Sequence, residues 1–192
     1  MDIDLIENYK PQKPKRIKRS DETHRVTFEV TMRYLTQLVH DYQQCIIKGQ
    51  ESRLIFDYIS NCVRRFHNYE IEETIGAHYY QVGVPKDECV FEHVIPVAEL
   101  KQLMVDGLMP IERVLYAPTC LLHKLQDKKL RDLGLVKSTP SRRYFFRRYR
   151  DLGVKFATHD GQDISDLESW DLLKHYDYFG RSVNTDPAVD QK

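Results

Sequence analysis

Cys89-Val90-Phe91-Glu92-His93-Val94-Ile95-Pro96 is a short extended run in which a carboxylate and an imidazole stand side by side before a closing proline. Its composition suits a strand over Cys89 to His93. Pro96 fits the first turn of a helix with Val97, Leu100, Leu103 and Met104 as its apolar side and Gly107 as its stop. Adjacent strand residues face opposite ways, so Glu92 and His93 share a site only where the backbone bends or the strand ends. Downstream, Val114, Leu115 and Tyr116 begin a strand that Pro118 disturbs and Cys120 to Leu122 resume. Lys124 to Leu133 reads as a helix in which Leu125, Lys129 and Leu133 lie one above another, Leu130 adds to the apolar side and Gly134 terminates. His123 and Asp127, four apart, face the same way if the helix includes both. If His123 ends the strand, Asp127 in the first turn still points back into the joint.

Upstream, Phe28, Met32, Leu35, Leu38, Val39, Tyr42, Cys45 and Ile46 recur at three- and four-residue steps, a helix stripe ended by Gly49. A second helix is expected over about 51 to 69, with Leu54, Ile55, Tyr58, Ile59, Cys62, Val63 and Phe66 toward the core. The pair forms an antiparallel hairpin, and Cys45 and Cys62 fit as small buried hydrophobes. Around Gly76 the pattern becomes a joint containing His78-Tyr79-Tyr80. After Pro140 comes a basic, aromatic segment from Ser141 to Arg150 that fits helix or strand. A loop at Asp160-Gly161 follows, then a short helix around 165 to 176 in which Trp170, Leu172 and Leu173 dock, and frayed residues after Asn184. Four segments result: a flexible basic arm (1–22), the helical hairpin (23–76), a core with a basic extension (77–154) and an acidic docking segment (155–192).

The 192 residues are enough for one compact domain, and 41% hydrophobic with 30% charged residues excludes a disordered chain. No basic leader precedes an apolar run at Met1-Asp2-Ile3-Asp4, and no stretch reaches eighteen uncharged apolar residues. The expectation is therefore a cytoplasmic protein with no membrane partner. Cys45, Cys62, Cys89 and Cys120 are few and far apart, as expected of reduced thiols.

Net charge is zero, from 29 basic and 29 acidic residues, but the charges are unevenly placed. Residues 8–20 hold six bases, Lys13 and Arg16 among them, and no acid. Residues 124–150 hold ten bases against Asp127 and Asp132, a net +8, whereas 156–192 hold eight acids against three bases, a net −5. Such asymmetry suits a polyanion held on one face. Arg142, Arg143, Arg147, Arg148 and Arg150, with Lys128 and Lys129, are placed to bind successive phosphates, and the arm carrying Lys13 and Arg16 to lie along a duplex.

A carboxylate pair around a divalent ion, with a histidine beside it, suffices for phosphodiester hydrolysis: the imidazole takes a proton from water while the ion stabilises developing charge. A competing metal reading uses Cys89, His93, Cys120 and His123 as a tetrahedral structural zinc site, which would remove His93 as a base. Two plainer readings stand beside these: a buried structural His93, and an Asp127 favoured by the dipole of its helix. No glycine-rich phosphate loop, nucleophile elbow or close acid pair for sugar chemistry is present.

Glu92-His93-Val94-Ile95-Pro96, followed by helix, strand and a helix opening His123-Lys124-Leu125-Gln126-Asp127-Lys128-Lys129-Leu130, resembles the divergent phage-type members of the HNH, or His-Me finger, endonuclease superfamily. Arg131-Asp132-Leu133-Gly134-Leu135 and Arg148-Tyr149-Arg150-Asp151-Leu152-Gly153-Val154 are similar to its trailing elements. The resemblance implies an α+β fold, with the N-terminal helical hairpin packed on a small ββα-metal core that carries the basic extension and the acidic tail. It implies His93 as general base, Glu92 as a ligand of Mg2+ or Mn2+, and Asp127 or its rival His123 as the other ligand. The implied activity is metal-dependent DNA cleavage, of nicking or homing type, on double-stranded DNA in the cytoplasm, the host's if phage-encoded. The alternatives are a nucleic-acid-binding protein without catalysis, a structural-zinc protein, and a phage or host-takeover protein that grips a protein partner.

Overall fold

The computed structural model describes residues 20–179. The arm that carries Lys13 and Arg16 and the residues after Asn184 lie outside them.

Helix α1 (Asp21–Ile47) starts where the Ser20 hydroxyl accepts from the Thr23 amide, capping one of the first orphan N–H groups, and ends at Gly49, whose φ of 63° suits a residue without Cβ. Helix α2 (Arg53–Phe66) runs on through a π-helical turn (His67–Glu72) and a last α-turn (Glu73–Ile75) to Gly76. Leu35 and Leu38 of α1 and Ile59, Val63 and Phe66 of α2 are buried as the periodicity predicts. Ile46, Leu54 and Tyr58, assigned to the core by the same periodicity, are exposed, because a hairpin lying on the protein has a second, outward flank. Cys45 and Cys62 are half-buried.

Strand β1 (Tyr79–Gln81) leads through a 3-10 turn (Lys86–Glu88) to β2 (Cys89–His93). Helix α3 (Val97–Val105) follows Pro96, and α4 (Ile111–Leu115) follows Pro110. Val114 and Leu115, expected to begin a strand, are helical; an apolar run so short suits either state, and Pro110 sets the first turn. Strand β3 (Thr119–His123) passes directly into α5 (Lys124–Asp132). In α5 only Leu130 is buried, while Leu125 and Leu133 are exposed. The segment after Pro140 forms a 3-10 helix (Phe145–Leu152), then β4 (Phe156–Thr158), β5 (Asp163–Ile164) and α6 (Leu172–Tyr178).

The architecture is mixed α and β, with a five-stranded sheet in the order β2-β3-β1-β4-β5. Strand β1 runs parallel to β3 and antiparallel to β4; β2 and β3 are antiparallel. The boundary expected at 154/155 therefore falls inside the sheet, since β4 pairs with β1. Helices α1 to α4 pack together in one layer, while α5 lies against β2, β3 and the 3-10 helix. No helix among the described residues is long and apolar enough to cross a membrane.

Candidate functional site

The β2–β3 register decides which side chains can meet. Glu92 stands opposite Cys120 and His93 opposite Thr119, so Glu92 and His93 leave the sheet on opposite faces. The strand stays regular to His93, and the bend that would let the two residues share a site is absent from it.

On one face, Arg148 fills the space beside Glu92. Its Nη2 is 2.7 Å from Glu92 Oε1, its Nη1 donates to His93 O (2.7 Å) and Val94 O (3.2 Å), and its Nε donates to Leu135 O (2.8 Å). The guanidinium side chain is 1% exposed. Burial pushes the Glu92 carboxyl up, Arg148 opposes that rise, and the charge of Asp127 adds to it. Glu92 and Asp127 thus sense each other on one side of the β2–β3–α5 unit. Asp127 is held by Arg131 at 2.6 Å across one turn of α5. Cys120 shares this face: its Sγ lies 3.5 Å from Tyr149 Oη, and burial pushes its thiol up to about 12.

On the other face, the His93 ring packs 5.0 Å from that of His67, which the π-helical turn of α2 presents, and 5.5 Å from Phe91. His93 Nε2 is buried without a hydrogen-bond partner, as is His67 Nδ1. Burial, then the neighbouring His67, Arg64 and Arg148, hold the His93 imidazole well below its usual range. That keeps it neutral but makes it a weak base, and its Nε2 is buried against protein.

His123, the last residue of β3, caps α5: its Nδ1 accepts from the Leu125 amide at 3.2 Å, and its Nε2 lies 3.4 Å from Glu88. It stands opposite Cys89. The residues required for the zinc reading do not converge, because Cys120 points to the face opposite Cys89, His93 and His123, and Cys89 and His93 are four strand residues, roughly 13 Å, apart. A divalent ion fits no better. Glu92 is committed to Arg148, His93 is on the far face, and among the described residues no group of three or more His, Cys, Asp or Glu is placed to hold a metal.

The basic segment folds into one region, since α5 and the 3-10 helix pack on each other. Lys124, Lys128, Lys129 and Arg131 are exposed on α5. Arg142, Arg143, Arg147 and Arg150 are also at the surface, each beside an acid: Arg142 with Glu99 (2.6 Å), Arg143 with Asp171 (3.3 Å), and Arg147 and Arg150 with the two oxygens of Glu168 (2.6 and 2.7 Å). Arg148, assigned to phosphates from the sequence, is instead an internal strut. Sequence reasoning missed Glu99, Glu168 and Asp171 as partners. The signal available was the excess of bases at 124–150 against the excess of acids at 156–192. It also missed a groove of about 660 Å³ between α1 and α2, lined by Tyr34, Tyr58, Asn61, Arg65 and Tyr69 among others.

Comparison with protein-family models, with curated proteins and with solved structures returned no match for this chain.

Proposed function

We propose that this protein binds the backbone of a nucleic acid through the surface of α5 and the 3-10 helix, and that it does so without hydrolysing it. The observation that carries the reading is Arg148: a buried cation stands against Glu92, where the resemblance to HNH endonucleases would put a divalent ion, while His93 faces α2. A guanidinium supplies positive charge to Glu92 but no open coordination position for water. The surface bases adjoin this strut on both sides in sequence, from Lys124 to Arg131 and from Arg142 to Arg150. Contacts of this kind position a backbone and do not select bases.

The reading is tested with the full chain and fluorescently labelled 30-base-pair DNA. Anisotropy is measured from 50 to 200 mM salt, and long DNA is incubated with magnesium or manganese in parallel. Expected are dissociation constants of about 1 to 100 µM at physiological salt, steep salt dependence and intact DNA. Metal-dependent nicking that disappears in both His93→Ala and Asp127→Asn would restore the hydrolytic reading. Absence of binding at 50 mM salt would reject the reading and favour a protein partner.

A further inference from the structure

Three of the four surface arginines of this segment, Arg143, Arg147 and Arg150, each face a carboxylate drawn from one short stretch of chain. Glu168 is forked between Arg147 Nε (2.6 Å) and Arg150 Nη2 (2.7 Å), so each of its oxygens takes one guanidinium. Asp171 Oδ2 lies 3.3 Å from Arg143 Nε, and the Leu172 amide donates to Arg143 O at 2.9 Å, which ties the start of α6 to the basic segment. Two oxygens shared between two arginines is also how a backbone phosphate would be held. The stretch is anchored from below by Trp170, which is buried and donates from Nε1 to Tyr79 Oη at 2.8 Å. Its Glu168 carboxylate, by contrast, remains at the surface, with the side chain 45% exposed, while that of Asp171 is half-buried at 17%. Exposed pairs of this type exchange readily with competing anions.

We infer that residues 166–171 form an acidic clasp that occupies the phosphate-binding positions of Arg143, Arg147 and Arg150, and that a nucleic-acid backbone must displace Glu168 and Asp171 to use them. The inference rests on the nucleic-acid-binding reading above and adds regulation of that surface. In the resting protein Lys128 and Lys129 of α5 are exposed while Arg143, Arg147 and Arg150 face carboxylates, so binding is weak. Opening the clasp recruits the further phosphate contacts of Arg147 and Arg150. Asp171 also caps α6 by accepting from the Lys174 amide at 3.0 Å, a role that Asn retains.

The test compares the full-length wild type with E168Q/D171N on a 20-base-pair duplex. The double variant is expected to bind about tenfold more tightly at 100 mM salt. Its plot of log affinity against log salt should be steeper by about 2, one unit each for Arg147 and Arg150. Adding R143Q, R147Q and R150Q to the open variant should return both values to the wild-type level. Circular dichroism and Trp170 fluorescence confirm that each variant keeps its fold. If the wild type binds and E168Q/D171N binds neither more tightly nor with a steeper slope, the clasp is refuted while the binding surface stands. If neither protein binds at 50 mM salt, the nucleic-acid reading falls and the clasp falls with it.

Discussion

Glu92 with Arg148 and Glu168 with Arg147 and Arg150 are glutamate–arginine contacts of almost the same length, 2.6 to 2.7 Å, in opposite settings. The first lies between the sheet and the 3-10 helix with its arginine buried and its glutamate 20% exposed, and the arginine also holds three backbone carbonyls. The second lies at the surface, and among the described residues its glutamate side chain pairs with the two arginines alone. A buried pair is costly to break because the surviving charge is stranded, whereas an exposed pair exchanges with water and ions. Contact length alone thus says little about role. The inner pair is architecture, and the outer one is a surface that can change partners.

The largest expected effect separates the buried side from the exposed side by pH. His67 donates Nε2–H to Val114 O at 3.0 Å, and His175 donates Nε2–H to Tyr116 O at 2.9 Å while its Nδ1 accepts from Tyr79 Oη. Both are neutral tautomers in closed surroundings, and burial pulls each from 6.5 down to about 4. A lowered imidazole favours the neutral form in the fold, so the unfolded chain takes up protons first. Stability is complete above about pH 6.5 and is lost as pH falls toward 4. The loss is about 3 kcal/mol for each residue, or about 6 kcal/mol together. Urea midpoints between pH 7.5 and 4 check this, and a flat profile would contradict it.

Next in size is Arg148→Met. Glu92 and the carbonyls of His93, Val94 and Leu135 lose their donor, and a half-buried carboxylate is left uncompensated. The expected destabilisation is about 3 to 5 kcal/mol by urea denaturation at pH 7. A loss below about 1 kcal/mol would erase the distinction between the two pairs. Were Arg148 instead a phosphate ligand, the same variant would lower nucleic-acid affinity and leave stability intact.

A third variant joins the two regions. Trp170→Phe keeps an aromatic ring in the core but removes the donor to Tyr79 Oη, and about 1 to 2 kcal/mol of stability is expected to go with it. Because Trp170 seats the acidic stretch, the variant is also expected to raise DNA affinity in the same direction as E168Q/D171N, though less. Unchanged affinity would mean that the fork forms without its anchor.

Much of this contrast was legible in the residues, but only in part. The periodicity of Leu35, Leu38, Ile59 and Val63, and Pro96 and Gly107 around α3, placed elements because local pattern and tertiary demand agree there. Strand alternation already warned that Glu92 and His93 diverge, and the register against Cys120 and Thr119 realises it. The short strands β1, β4 and β5 escaped notice, being two or three residues held by pairing across the sheet and not by local preference. The exposed and buried arginines look alike in sequence. Arg147 and Arg148 are neighbours, and only the fold turns one outward to Glu168 and the other inward to Glu92. Charge asymmetry signalled that residues 124–150 attract anions, but not that the chain supplies those anions itself.

The smallest expected effect is the most discriminating. Glu168→Gln removes a carboxylate that both neighbouring arginines hold below its usual range, Arg147 contributing most. Since the group is solvated, stability should change little, and the difference between wild type and variant should shrink toward zero as salt rises to 0.5 M. A fork that mattered to architecture would behave as Arg148 does, with a loss of several kcal/mol that salt does not screen. Near-neutral stability together with tighter anion binding is the combination that a replaceable contact requires. Glu168→Gln producing instead a stability loss as large as that of Arg148→Met would mean that both pairs hold the fold and that neither is available to a partner.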